Sequence, residues 1–552
     1  MNTVNLLTIP AAIVPAHRMT AFGDRRQTYE ETVTRVLRLA RALGALGITT
    51  GDRVAILDTN SPRYVEAYFA VSTLGGVFVP LNYRAKADEL AYMMTTAGAR
   101  VLIVGERYVS LVAGMRHRLP CVTHVVALES APGMVSFEEL IARADGEAAE
   151  ADVNEEDVNI LMYTSGTTGR PKGVMLTHGD FVTYVCGHTA LADGTPRGAT
   201  LLCVPLYHIA GVTSMLTSIF TGRTLVILRQ FEPAAWLAAV PRESITHAFL
   251  VPTMLKRVLD HADFERHSCA SLEVLAYGAA PMPLPVIRQA IERFPPHVGF
   301  VNAFGQTETT ATVTMLLPED HRLEGAPEDV ERKLRRLSSI GRPLSDVEIR
   351  IVGPDRSEVA RGEVGEIAVR TPRMMKGYVA QGEATAEAMM GGWLYTRDMG
   401  WMDEDGYLYL AGRKDDMIIR GGENIAPAEV EAVLQAHPAI EEVAIIGVPD
   451  VDWGERLVAV VVPRVGKSLT AAGVIDWCHQ RLASFKKPDV VEFVSELPRN
   501  PLGKVLRKDL REKYVGVAAH AESSGTFCRV HRPAKGCESR ASSRSARQGR
   551  GP

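Results

Sequence analysis

Short apolar runs alternate with amphipathic stretches along the first 300 residues. Residues 29–46 place apolar side chains at helical spacing and stop at Gly47, which reads as a helix and its end. Residues 54–57, Val-Ala-Ile-Leu, form a continuous apolar run of buried-strand length, and Asn60-Ser61-Pro62 then opens a helix whose apolar part, 67–74, ends at Gly75-Gly76. A strand at 77–82, a helix at 89–97 and a strand at 100–105 continue the order. An acidic segment, 146–157, reads as a linker. Beyond it, strands at 201–206, 224–228, 248–252, 274–281 and 298–304 alternate with helices at 212–220, 236–240 and from 252 to about 261. Such alternation predicts a largely parallel α/β arrangement with its active site at the carboxyl ends of the strands.

From residue 347 the texture changes. Short alternating segments at 348–352, 365–370 and 406–410 predict a β-rich subdomain. From 418 the order is compact α+β: helix 427–436, strands 443–447 and 457–463, helix 471–482, so a smaller second domain is expected to begin near Gly412. Residues 516–552 show no periodicity and hold seven Arg/Lys against two Glu, the profile of a disordered basic tail.

Length, charge and cysteines narrow the class. A chain of 552 residues implies two or more domains, and 46% hydrophobic with 23% charged residues is the profile of a soluble globular protein. A net charge of −4 gives no reason to expect nucleic acid as a partner. The seven cysteines show no metal-ligand spacing, which fits a reduced, cytoplasmic setting. The apolar patch at 6–16 lacks a basic leader and is interrupted by Pro10 and Pro15, so it does not read as a signal peptide; no apolar run is long enough for a transmembrane helix.

The densest chemistry lies at 160–177. Four hydroxyls (Thr164, Ser165, Thr167, Thr168), three glycines (Gly166, Gly169, Gly173) and two cations (Arg170, Lys172) sit between apolar runs. Glycine lets backbone N–H groups turn toward an anion, and hydroxyls and cations add donors suited to phosphate. A Walker A loop is excluded, because Pro171 precedes Lys172 and Gly173 follows it. Alone, the stretch reads equally as a polyphosphate loop or a polar hairpin. A Gly-x-Ser-x-Gly hydrolase elbow is absent from the chain.

Together with later motifs, this stretch resembles the acyl-adenylate-forming superfamily, which includes acyl-CoA synthetases, luciferase-like enzymes and peptide-synthetase adenylation domains. The resemblance covers residues 22–514. Tyr163-Thr-Ser-Gly-Thr-Thr-Gly-Arg-Pro-Lys-Gly173 is similar to the family's phosphate loop, which implies that Thr164, Ser165, Gly166, Thr167, Thr168, Gly169 and Lys172 contact the β- and γ-phosphates of ATP. Gly278-Ala279-Ala280-Pro281 resembles the turn that flanks adenine. Asn302-Ala-Phe304-Gly305-Gln306-Thr307-Glu308 resembles the family's Tyr-Gly-x-Thr-Glu, implying that Thr307 bonds the α-phosphate and Glu308 holds Mg²⁺; Phe304 keeps the usual ring without its hydroxyl. Asp398 and Arg413 fall where the family binds ribose. Asp415 falls at the family's hinge position, and Gly421, Gly422 and Glu423 in the loop that lines the coenzyme A thiol channel. Lys504 resembles the catalytic lysine, with Leu502 where Thr or Ser is usual. His208, in Pro205-Leu-Tyr-His-Ile-Ala-Gly211, matches the histidine placed beside the acyl carboxylate.

The resemblance implies a large adenylation domain at 1–411, with parallel α/β sheets and a β-rich subdomain, a hinge at 412–416 and a small mobile α+β domain at 417–515. It implies an ATP- and Mg²⁺-dependent acyl-CoA synthetase that makes acyl-AMP and pyrophosphate, then transfers the acyl group to coenzyme A and releases AMP. Between Val204 and Gly222 there is no carboxylate, which favours an uncharged acyl tail: a medium to long fatty acid, or a cyclic or aryl carboxylate. No carrier-protein pattern follows Tyr514, so coenzyme A is the expected acceptor. The expected partners are the carboxylate, ATP and coenzyme A, and a homodimer is compatible with the reading. Two rivals stay open: an adenylating enzyme that loads a separate carrier protein, and a non-catalytic nucleotide-binding protein.

Overall fold

The protein is described by a computed structural model covering residues 1–129, 131, 133–144, 151–164, 170–421, 423–499 and 505–518, without the side chains of 424 and 516–518. The expected residues Ser165, Gly166, Thr167, Thr168, Gly169, Gly422 and Lys504, and the tail beyond 518, lie outside the described residues. The helix Arg507–Ala518 carries regular structure into positions 516–518, which the sequence pattern assigned to the tail.

The chain divides into two units. One comprises Met1–Met417, Ala426–Ala432 and Arg499–Val505; the other comprises Ile418–Ile425, Val433–Pro498 and Leu506–Pro552.

The larger unit holds the expected α/β sheets, two in number, each with antiparallel strands beside its parallel ones. In the first, the parallel strands Val77–Pro80, Arg53–Leu57, Ala99–Val104 and His124–Ala127 are nearly continuous apolar runs, because helices cover both faces. Its other side is antiparallel: Val158–Thr164 pairs with Lys172–Thr177, and that strand pairs with Gly377–Tyr378. The second sheet runs through Gly299–Gln306, Val274–Gly278, Ile245–Leu250, Ala199–Leu202 and Thr224–Ile227, all parallel, with Ala311–Leu316 antiparallel at one side and Arg18–Phe22 at the other. A smaller sheet is built from Glu348–Val352, Gly365–Arg370, Trp393–Met402 and Leu408–Arg413.

Local chemistry explains the helix starts. Thr28 and Thr177 each form a capping box, with Glu31 and Asp180 respectively, and Ser61 caps Tyr64 N ahead of Pro62. Asn60 joins the two sheets: its Nδ2 donates to Val204 O at 2.9 Å and its Oδ1 accepts from Leu206 N at 2.9 Å.

The N-terminal apolar patch is a helix, Asn5–Ile13, that the two prolines hid from a sequence reading. Its Leu6, Leu7 and Ala11 are buried and it packs on the helix Ile209–Phe220, so tertiary burial outweighs the N–H lost at Pro10. Thr3 Oγ1 lies 2.8 Å from His178 Nδ1 and accepts from Asn159 Nδ2 at 3.1 Å, and Asn159 Oδ1 accepts from Tyr68 at 2.6 Å. This buried polar chain fastens the N-terminus to the base of the Val158–Thr164 and Lys172–Thr177 pair.

The smaller unit is an antiparallel sheet, Glu423–Ile425, Ile418–Arg420, Gly454–Pro463 and Ile440–Asp450, with Val490–Phe493 parallel beside Gly454–Pro463. Arg420 pairs with Asp489 at 2.6 Å within it.

Candidate active site

The hydroxyl- and glycine-rich stretch joins two arms of an antiparallel hairpin. Register runs from Val158 opposite Thr177 to Thr164 opposite Lys172, so the arms deliver Thr164 and Lys172 to the same end. The two readings of this stretch are therefore compatible: its arms are a hairpin, and its glycine-rich residues are the connection. The arms are fixed from below. Tyr163 Oη donates to Met93 O at 2.8 Å and lies 2.7 Å from Thr96 Oγ1, and burial pushes its hydroxyl up to about 12, so it stays protonated. A Cβ on Gly173 would lie 2.7 Å from the Val379 side chain, so a larger residue there must push that neighbour aside.

Three predicted groups converge on this end through a residue the sequence did not single out. Lys172 Nζ lies 4.9 Å from the centre of the Tyr378 ring. The Tyr378 hydroxyl donates to Glu308 Oε1 at 2.9 Å. Thr307 and Glu308 form a single turn, Thr307–Thr309, that packs against the hairpin arm Lys172–Thr177. Among the described residues Tyr378 is the one hydrogen-bond donor to the Glu308 carboxylate, which leaves Oε2 unengaged. Nothing near Gly377-Tyr378 in the sequence marks it; pairing of that short strand with the hairpin brings it in.

A second cluster lies at the same end of strand Gly299–Gln306. Gln306 Nε2 donates to Asp398 Oδ2 at 2.5 Å and to Thr396 O at 3.0 Å. Arg413 Nε pairs with Asp398 Oδ1 at 2.6 Å, because the two residues are opposite each other on neighbouring strands. Asp398 is 7% exposed, so two charged or polar partners compensate a nearly buried carboxylate. Gly278 is opposite Ala303 on adjoining strands, which sets the turn 278–280 beside Phe304 and Gly305. A Cβ on Gly278 would lie 2.1 Å from Ala303 O, and one on Gly305 would lie 1.6 Å from Ala311 O.

Backbone strain gathers here. Ala279, Thr310, Ala311 and Arg397 all have positive φ, between 49° and 74°, although none is glycine. Such residues cost of order 1–3 kcal/mol each and persist where surrounding contacts hold them.

His208 immediately precedes the helix Ile209–Phe220, without a side-chain cap, and that helix packs against the strand that follows the Thr307 turn. Its ring is 4.2 Å from that of Tyr207. Burial, then the charge of Arg84, pushes the imidazole down to about 3, so it is neutral at physiological pH. Its Nε2 has no hydrogen-bond partner among the described residues.

Asp415 sits in the turn Lys414–Asp416 and accepts from Arg397 Nε at 3.2 Å, while Lys414 pairs with Glu366 at 2.8 Å. In the smaller unit, Gly421 has φ +59 and donates to Trp453 O at 2.8 Å, and Glu423 is exposed opposite Arg420. Among the described residues no group of three or more His, Cys, Asp or Glu side chains could hold a metal ion, and no helix is long and apolar enough to cross a membrane.

Comparison with known proteins identifies the family. Residues 10–379 match the AMP-binding enzyme family and residues 429–504 its C-terminal domain. The chain is 38% identical to a feruloyl-CoA synthase from Amycolatopsis, over 89% of this chain and 95% of that one. It is 32% identical to a long-chain-fatty-acid–CoA ligase from Mycobacterium tuberculosis, over 89% and 94%. The crystal structure of an anthranilate CoA ligase with anthranoyl-AMP superposes with a TM-score of 0.83 at 27% identity, covering 94% of this chain and 98% of that one. Matched over most of its length by the family models and by relatives of more than 30% identity, this protein is a member of the AMP-binding enzyme family, the acyl-adenylate-forming superfamily.

Proposed function

We propose that this AMP-forming acid–thiol ligase activates a carboxylate with a bulky, uncharged tail, an aryl acid before a fatty acid, and transfers its acyl group to coenzyme A. The reading of the chemistry rests on one observation: Lys172, Tyr378 and Glu308 line up beside the Gln306–Asp398–Arg413 cluster. The aryl preference is supported by the greater identity to the feruloyl-CoA synthase than to the fatty-acid ligase, and by the apolar, carboxylate-free segment 204–222.

In this reading the nucleotide lies along the carboxyl ends of the second sheet. Asp398 and Arg413 hold the ribose hydroxyls, and the turn 278–280 with Phe304 and Gly305 flanks adenine. Thr164, Lys172 and the intervening hydroxyls 165, 167 and 168 grip the phosphates that leave as pyrophosphate. A single carboxylate oxygen at Glu308 suits a hard divalent cation whose remaining ligands are phosphate oxygens. Mg²⁺ bound there would neutralise charge on the phosphates. Thr307 donates to the α-phosphate, where the substrate carboxylate attacks. Lys504 is assigned to stabilise the charge that builds at this centre. Neutral His208 contributes a donor or acceptor near the acyl group rather than a fixed charge. The second step is assigned to the smaller unit, turning about Asp415 and offering Gly421, Gly422 and Glu423 to the thiol. ATP and coenzyme A both suit a cytoplasmic enzyme.

The test is a panel of aryl and aliphatic acids with ATP and coenzyme A, following AMP release. Turnover of aryl acids at least about tenfold above fatty acids in kcat/KM supports the assignment; the reverse order overturns the aryl preference. Formation of acyl-AMP and pyrophosphate with no AMP release in response to coenzyme A would favour transfer to a carrier protein instead. Lys504→Ala should block pyrophosphate exchange and spare thioester formation from supplied acyl-AMP; normal exchange refutes the role given to Lys504. Lys172→Ala should weaken ATP use while leaving that second step nearly intact, and equal loss of both would make the hairpin structural only.

A further inference from the structure

Arg373 is fully buried, with 0% of its side chain exposed. A buried guanidinium is costly unless its donors are matched, and each of its three nitrogens donates here. Its Nε and Nη2 donate to the two oxygens of Asp346 at 2.7 and 3.2 Å, a bidentate pair. Its Nη1 donates to the backbone oxygen of Thr309 at 2.9 Å. Its own backbone oxygen accepts from Thr310 Oγ1 at 2.9 Å. Its guanidinium lies 5.1 Å from the centre of the Tyr184 ring, and Tyr184 donates to Thr312 Oγ1 at 3.2 Å.

Apart from the Asp346 pair, these contacts end on one stretch, 309–312, immediately after Thr307 and Glu308. That stretch is strained, with φ of 49° at Thr310 and 74° at Ala311. The chain beyond Arg373 continues the same job. Met375 N donates to Glu308 O at 2.9 Å, and Tyr378 reaches the Glu308 carboxylate. Residues 373–378 therefore strap the Glu308 turn to the hairpin arm that carries Lys172.

We infer that Arg373, seated on Asp346, is a positioning residue for adenylation: it holds the strained stretch that follows the Thr307–Thr309 turn so that Glu308 faces the phosphate hairpin. The inference rests on the adenylation reading above. It acts through Glu308 and predicts a defect confined to the step that uses ATP. Arg373 touches no reacting atom.

The test uses the full-length protein and a carboxylate it turns over. Carboxylate-dependent pyrophosphate exchange is titrated with Mg²⁺ for wild type, Arg373→Met, Arg373→Lys and Asp346→Asn. Thioester formation from supplied acyl-AMP and coenzyme A is measured beside it. Misplacement of a ligand by about 1 Å can cost on the order of 100-fold, so exchange should fall at least about tenfold in Arg373→Met, with Mg²⁺ half-saturation raised. The second step should stay within about twofold, and Arg373→Lys, which keeps the charge, should recover part of the loss. Should Arg373→Met not fold, Arg373→Lys and Asp346→Asn carry the same readouts. Unchanged exchange and Mg²⁺ dependence in a folded variant, or equal loss of both half-reactions, overturns the inference. Wild type that shows no exchange with any acid defeats the adenylation reading instead, which separates the two failures.

Discussion

The Tyr378 hydroxyl donates to Glu308 Oε1 at 2.9 Å while its ring lies under Lys172 Nζ at 4.9 Å. One side chain thus orients the carboxylate assigned to the cation and supports the lysine assigned to the phosphates. A hydrogen bond to a charged group contributes about 1.5–3 kcal/mol. Tyr378→Phe keeps the ring and removes the donor, so pyrophosphate exchange should drop about tenfold with little change in melting temperature. Mg²⁺ half-saturation is the deciding measurement; if it does not move, the contact is incidental to catalysis.

Asp398 is held at once by Gln306 and Arg413, at 2.5 and 2.6 Å. Asp398→Asn should weaken AMP binding about tenfold or more in calorimetry, because one acceptor for vicinal hydroxyls is lost and Arg413 loses its partner. Gln306→Ala should give a smaller loss, leaving the ion pair in place. Equal affinity in wild type and Asp398→Asn would remove Asp398 from the nucleotide site.

Gly305 faces the backbone of Ala311 across a register shift, with 1.6 Å between a notional Cβ and that oxygen. Neither atom belongs to a flexible side chain, so Gly305→Ala must separate the strands. We expect a loss of about 4 kcal/mol or more, or insoluble protein. Gly382→Ala, where nothing lies within 4 Å of the added atom, is the control and should melt with wild type.

Burial pushes His178 down to about 4, with nearby Asp157 opposing the shift, and His247 and His321 are also pushed down to about 4 by burial. Each is neutral when folded and takes a proton near pH 6.5 when unfolded. Stability is therefore present above pH 6.5 and lost as pH falls toward 4, by up to ~3 kcal/mol per histidine. Melting temperature against pH should fall steeply across that window. His178→Asn should reduce the slope by one proton; an unchanged slope would show that His178 titrates normally.

Asp415 and Arg397 form a half-exposed ion pair at the end of the larger unit. Such pairs contribute about 0–1 kcal/mol, so Asp415→Ala should leave melting nearly unchanged. If Asp415 is the pivot, the variant should keep pyrophosphate exchange and slow coenzyme A-dependent turnover. A variant that lost exchange alone would place Asp415 in adenylation instead.

Much was legible along the chain because it is local. The strands 54–57, 100–105 and 274–281 are apolar runs that only a covered sheet can bury, and caps at Thr28 and Ser61 need no tertiary partner to be recognised. The spacing of Thr164 to Lys172, of Phe304 to Glu308, and the short motifs around Asp398 and Arg413 carry chemistry in order along the chain. The helix Asn5–Ile13 was not legible, since Pro10 and Pro15 mask a periodicity that burial of Leu6 and Leu7 rescues.

The sequence by itself determined the class of fold and the set of groups that can handle a nucleotide. Only the tertiary structure decided which of them meet. Tyr378 and Arg373 are 70 and 65 positions from Glu308 in numbering, with no local signal, and strand pairing brings one to its carboxylate and the other to the turn behind it. A carboxylate can be named from a motif, but its direction depends on donors that arrive from elsewhere in the chain. Those donors are set by sheet register and by the need to match every buried charge, neither of which is a property of any short segment.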